Sequence, residues 1–225
     1  MANCPRSIIH NGRTYISWKL DSVVERLYAP ATERNREPIL SVLKMILPTQ
    51  GKVLEIASGT GEHITFFAPH FPALIWQPSD PNLMHLASIK GWMKQLPSIN
   101  ILPPLQINVT NEAWGMDSVD VILCINMIHI APWEACFGLF QGTQSILSEG
   151  GLLYFYGPFK QQGKHSAPSN ESFDLWLRAQ NPRWGVRDLE AVIDIAQKHN
   201  FHLQQVIPMP ANNLSVLFCK MPSDL

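Results

Sequence analysis

The stretch "VLEIASGTGEH", Val53 to His63, runs apolar residues into a turn with two glycines one residue apart, and it carries an acid, Glu55, inside the apolar run. Glycine has no Cβ, so a backbone bearing Gly59 and Gly61 can approach a ligand closely. A carboxylate in a buried strand costs free energy unless it is paired or hydrogen-bonded, so Glu55, four residues ahead of Gly59, points to a task beside that ligand. A second acid, Asp80, closes "LIWQPSD" about where a carboxylate accepts hydrogen bonds from both hydroxyls of a ribose. The same residues have local alternatives: the glycines as a tight turn, Glu55 as a cap or tether, and Asp80 with Pro81 as a helix start.

The ligand class follows from what surrounds the turn. A dinucleotide fingerprint asks for a third glycine three positions after Gly61, where this chain has Ile64, and no G-x-x-x-x-G-K-[ST] occurs. A pyrophosphate would be repelled by Glu55, whereas S-adenosylmethionine brings an ammonium and a sulfonium and no phosphate. That cofactor is expected against Ala57, Gly59 and Gly61, with Glu55 and Asp80 as its acidic contacts. Arg34 and Arg36 with Asn35, in "RNREP" just ahead of the sheet, are candidates to close over its methionine end.

The elements that position these residues alternate in type. "KVLEIA", "LIWQPSD", "ILPPLQINV", "VDVILCINMIHI" and "GGLLYFYGPF" read as strands, separated by helical segments such as "GEHITFFAPHF", "NLMHLASIKGWMKQL" and "WEACFGLFQGTQSIL". A long polar loop, the helix "VRDLEAVIDIAQKHN" and two strands, "FHLQQVIPM" and "LSVLFCK", complete the chain. The connection "PANN" between the last two is too short for a crossover helix, so they should pair antiparallel. The expectation is a doubly wound α/β fold with a seven-stranded, mostly parallel sheet and an antiparallel C-terminal strand pair. Residues 1–20 are expected as an N-terminal arm and residues 21–225 as one domain; 46% hydrophobic residues in a chain of 225 suffice for a single core.

Composition narrows the partners. The net charge of -1 and the lack of any lysine/arginine block weigh against nucleic acid. Cys4, Cys124, Cys136 and Cys219 form no C-x-x-C pair, so reduced thiols and no metal site are expected. The polar N-terminus, broken by Pro5 and Gly12, and the lack of eighteen consecutive apolar residues point to a cytoplasmic protein without a membrane span.

Through "LEIASGTGEH", "WQPSD" and the closing strand pair the chain resembles the class I S-adenosylmethionine-dependent methyltransferases. More closely, "APATERNREPIL", "NMIHIAPW", "GGLLYFYGPF" and "NESFDLWLRAQNPRWGVRD" resemble the methyltransferase-like 26 family, once grouped as a domain of unknown function. The resemblance runs from about Tyr28 onward and implies the fold and the cofactor. By position in that fold, Asn108 and Val109 lie near the adenine, where an aspartate is common. Asn126 and His129 lie where methyl acceptors are contacted, His129 as a candidate base, with Tyr156, Asp174 and Trp176 as candidate acceptor-pocket residues. "NMIH" stands where enzymes that methylate planar amides carry N-P-P-Y, which favours a small-molecule acceptor over DNA or a peptide glutamine. The rival readings are a non-catalytic module that binds S-adenosylmethionine or S-adenosylhomocysteine to regulate a partner, and a dehydrogenase.

Overall fold

The computed structural model describes residues 7–10, 13–16, 26–95 and 100–222. Strands β1 (Ser7–His10) and β2 (Arg13–Ile16) pair antiparallel. The rest of the arm expected over residues 1–20, Cys4 included, lies outside the described residues.

Helix α1 (Pro30–Ile46) starts with proline in its first turn, where the missing N–H is no loss, and buries Ile39, Leu40, Val42 and Leu43. It stops before Leu47, which Pro48 holds in an extended conformation. Then come β3 (Gly51–Ile56), α2 (Glu62–Phe67) with a 3-10 turn at Ala68–His70, β4 (Leu74–Pro78), α3 (Leu83–Met93), β5 (Val119–Ile125) and α4 (Glu134–Ile146). The C-terminal half comprises β6 (Leu147–Gly157), β7 (Phe159–Gln161), β8 (Lys164–His165), α5 (Pro168–Gln180), β9 (Arg187–Asp188), α6 (Leu189–Lys198), β10 (Phe201–Met209) and β11 (Asn213–Lys220).

The central sheet has the order β10-β11-β6-β5-β3-β4. β4, β3, β5 and β6 are parallel, and β11 runs antiparallel to both β6 and β10. Side chains alternate between two apolar layers, as they must along a strand. Val53, Leu123, Tyr154 and Tyr156 face α1 and α2, while Leu54, Ile122, Leu153 and Phe155 face α4 and α6. Among the described residues no helix is long and apolar enough to cross a membrane, and Cys124, Cys136 and Cys219 are free.

Among the described residues the sheet has six strands, one fewer than the seven expected. "ILPPLQINV" runs beside β4 but forms only isolated bridges, Trp76 to Ile101 and Ser79 to Leu105. Pro78, Pro103 and Pro104 have no amide hydrogen to give a ladder, so pairing stops between the two bridges. The long polar loop expected after β6 is also corrected. It contains β8 and the whole of α5, because its polar residues coat the outside of a helix whose Asn170, Asp174 and Leu177 are buried. β8 joins β7 and β9 in a three-stranded sheet, and β9 takes Arg187 and Asp188 from the start of the expected last helix, which begins at Leu189.

Candidate functional site

The chain crosses from β3 to β4 on one side and returns to β5 on the other, and the carboxyl ends at such a switch are where a doubly wound sheet binds ligands. Glu55 stands next to last in β3 and shares the α1–α2 face with Val53. It is 2% exposed, and its Oε2 has no hydrogen-bond partner among the described residues. Burial pushes its pKa up to about 8; the Ser58 side chain opposes the rise and the Asp80 carboxylate adds to it. A cationic group is what would balance this orphaned oxygen, so the residues fit a cofactor that brings positive charge.

The turn after β3 is built from left-handed backbone at Ala57 (φ 52°), Gly59 (φ 56°) and Gly61 (φ 91°). A Cβ at Gly61 would lie 2.9 Å from the Cα of Ile89, so the packing of α3 itself demands glycine there. At Gly59 a Cβ would meet only the Ala57 carbonyl at 4.0 Å, so the positive φ, and not crowding, asks for glycine. Asp80 fastens this turn to β4. Its Oδ2 accepts from the Gly59 N–H at 2.9 Å, and its Oδ1 accepts from the Asn82 N–H at 2.9 Å and faces His85 Nδ1 at 3.0 Å. The cap of α3 is Asn82, whose side chain accepts from the Met84 N–H, so Asp80 is not the helix cap.

Asn108 is exposed, and its Oδ1 closes its own turn by accepting from the Thr110 N–H at 3.1 Å and hydroxyl at 2.9 Å. Val109 is buried, with its carbonyl against Gly138 of α4.

At the end of β5, Asn126 adopts φ 60° and its N–H donates to the Tyr156 carbonyl at 2.8 Å. Met127–His129 form a 3-10 turn in which His129 is 1% exposed. Its Nδ1 accepts from the Arg187 N–H at 3.4 Å, its Nε2 has no partner among the described residues, and its ring meets Phe159 edge-on at 5.0 Å. A Cβ at Gly157 would lie 2.5 Å from that Nε2 and 3.2 Å from Asn126 Oδ1, so glycine lets both side chains reach the β6 backbone. Burial lowers the His129 pKa to about 3, Arg187 lowers it further, and the Gly185 backbone and Asp174 oppose the shift. Arg187 staples the turn: its Nε donates to the Ile128 carbonyl at 2.9 Å and its Nη2 to the Ala131 and Arg183 carbonyls at 2.7 and 2.8 Å.

Arg34 is exposed on α1, and the residue that this helix turns inward is Asn35. Asn35 Oδ1 lies 2.8 Å from His63 Nε2, and its side chain also faces the Tyr156 hydroxyl. Tyr156 is buried, and burial raises its pKa while Asn35 opposes the rise. The sequence set Asn35 beside Arg34 and Arg36 at that end, and His63 was passed over. Counting back four residues from Ile39 along α1 would have placed Asn35 on the buried face. Asp174 turns inward, accepting from the Val186 N–H at 2.8 Å and Arg178 Nε at 3.1 Å and facing His165 Nε2 at 3.3 Å, whereas Trp176 is exposed and stacked on Phe173. Two surface concavities, one against Trp114 and α4 and one against His165 and the start of α5, include no residue of the glycine turn. The orphaned carboxyl and the left-handed turn therefore define the candidate site better than surface shape does.

Solved structures share this fold at low identity. They include mitomycin 7-O-methyltransferase MmcR (TM-score 0.73, 12% identity, 84% of this chain and 54% of that one). An O-methyltransferase family protein from Burkholderia thailandensis aligns with TM-score 0.72 and 12% identity over 86% of this chain and 58% of its own. An O-methyltransferase family 2 protein from Planctomyces limnophilus, in complex with apigenin, aligns with TM-score 0.67 and 18% identity over 89% and 65%. The chain thus spans less than two thirds of the length of these structures. Residues 26–220 match the family described as "Protein of unknown function (DUF938)", and the chain belongs to that family.

Proposed function

We propose that the protein is an S-adenosylmethionine-dependent methyltransferase that acts on a small-molecule acceptor by direct displacement. The observation that carries this reading is Glu55, whose buried Oε2 lacks a partner beside a left-handed turn fastened by Asp80. Glu55 would hold the ammonium, the Ala57–Gly61 backbone would lie against the amino-acid and ribose portions, and Asp80 would accept from the ribose hydroxyls. Asn108 and Val109 are assigned to the adenine side, and Asn126, His129 and Tyr156 to the acceptor side. When bound, the cofactor supplies a methyl group on a sulfonium whose C–S electron pair leaves with sulfur. The protein's part is to orient the acceptor in line and exclude water. Burial lowers the His129 pKa to about 3, so its neutral ring is a weak base, which supports positioning over proton removal. The motifs that resemble the methyltransferase-like 26 family support the same reading, and residues 21–225 are taken as one domain behind an N-terminal arm.

Calorimetric titration tests it. S-adenosylmethionine and S-adenosylhomocysteine are expected to bind with micromolar affinity and NAD at least tenfold more weakly; tighter binding of NAD would sink the reading. Transfer of label from methyl-labelled cofactor into a metabolite extract then separates an enzyme from a regulatory binding module.

A further inference from the structure

Two side chains that anchor the glycine turn also hold the segment ahead of α1. Ser88 of α3, 0% exposed, donates its hydroxyl proton to the Thr60 carbonyl at 2.7 Å and accepts from the Leu27 N–H at 2.8 Å. Glu62 of α2 accepts at a single oxygen, Oε2, from the Thr60 hydroxyl at 2.9 Å and from the Ala29 N–H at 2.5 Å. We propose that residues 26–29 are a latch on the glycine turn, with Ser88, Glu62 and Trp92 as positioning residues through which latching and methyl-donor binding strengthen each other. This inference rests on the methyl-donor reading and adds the segment that orders the donor's turn.

Thr60 is where the turn and the latch meet. It lies between Gly59 and Gly61, both with positive φ, in the stretch assigned to the cofactor. Asp80 holds the Gly59 N–H from β4, while Ser88 and Glu62 hold the carbonyl and the hydroxyl of Thr60 from the helices. A hydroxyl has one proton and two lone pairs, so Ser88 serves Thr60 and Leu27 together only with its proton on the Thr60 side. Leu27 thereby fixes the rotor that holds the turn. Detaching residues 27–29 removes one donor from Ser88 and one from Glu62, and both side chains are then free to turn away from Thr60. A third fastening of the latch does not touch the turn. Trp92 Nε1 donates to the Leu27 carbonyl at 3.1 Å, its ring meets Tyr28 edge-on at 5.1 Å, and the Arg26 guanidinium lies 4.7 Å from the ring centroid. Tyr28 is 62% exposed, so these contacts, and not core packing, keep its ring in place. A segment held by a few hydrogen bonds and surface ring contacts opens at lower free energy than the sheet does. A ligand that orders the turn keeps the latch shut, and by linkage the latched turn binds that ligand more tightly by the same factor.

Limited trypsin digestion of the full chain reads the latch, as the rate at which a fragment beginning at Leu27 appears by mass, and calorimetry reads the affinity for S-adenosylhomocysteine. Saturating S-adenosylhomocysteine should slow that cleavage by about two- to tenfold, the factor that one hydrogen bond supplies. Trp92→Phe loses the donor to Leu27 but leaves Thr60, Ser88 and Glu62 in place. It should speed the cleavage and weaken binding of S-adenosylhomocysteine, each by about two- to tenfold, whereas a merely structural Trp92 would leave the affinity alone. Ser88→Ala, which cuts the latch from the turn, should also do both. Should Ser88→Ala melt, Trp92→Phe, which keeps an aromatic ring at a half-buried position, carries the test. An affinity of Trp92→Phe within about 1.5-fold of the wild type, or cleavage after Arg26 that either the ligand or the variant fails to change, overturns the latch and leaves the methyl-donor reading standing. A wild type that binds neither S-adenosylmethionine nor S-adenosylhomocysteine overturns the methyl-donor reading and the latch with it.

Discussion

Glu55 keeps its proton because the sheet removes water from its carboxyl and supplies no cation in return. That has a consequence for stability. The folded pKa, about 8, lies above the ordinary 4.5, so the folded state holds a proton that the unfolded chain releases. The stability present below pH 4.5 is then lost as pH rises toward 8, at up to about 1.4 kcal/mol per pH unit, and the loss levels off above it. Glu55→Gln, neutral throughout, should match the wild type near pH 4.5 and exceed it increasingly by pH 8 in urea denaturation at several pH values. A stability difference that does not change with pH would mean that Glu55 ionises freely. His129 lies at the opposite extreme, a ring held neutral by burial and by Arg187, and residue type alone did not reveal that. The neutral imidazole is the form that accepts a proton, and burial makes it a weak base.

At the scale of elements, three prolines leave β4 with two isolated bridges to its outer neighbour, and one side chain ties the two segments further. The Gln77 amide nitrogen donates to the Pro103 carbonyl at 2.8 Å and to the Pro78 carbonyl at 3.0 Å, which also accepts from the Leu105 N–H at 3.0 Å. Gln77 is 5% exposed, so these acceptors sit where water has little access. Gln77→Ala should lower stability by about 1–3 kcal/mol with an unchanged denaturant slope, read as a shift in the urea midpoint. A loss below about 0.5 kcal/mol would show that other groups serve those carbonyls. The prolines were visible in "ILPPLQINV", but apolar content alone suggested a strand; α5 was missed for the converse reason, because its polar outer face hid an inner face of a few buried residues.

For the whole molecule, the two apolar layers share one central sheet, so they should unfold together. A single calorimetric transition is expected, with van't Hoff and calorimetric enthalpies equal. S-adenosylhomocysteine at a hundred times its Kd should raise the midpoint by roughly 5–10 °C, from about 2.7 kcal/mol of linkage at about 2–4 °C per kcal/mol. Two transitions, only one of them moved by ligand, would divide the chain into separate units. The sequence by itself determined the alternation of strands and helices, the antiparallel closing pair and the turn at Ala57–Gly61, because apolar period, proline and glycine act over a few residues. Only the tertiary structure decided that Asn35 and not Arg34 turns inward, that Asp80 ties the glycine turn to β4, and that Glu55 and His129 are both held neutral. Desolvation and hydrogen-bond partnership are set by groups distant in the chain, and only packing brings those groups together.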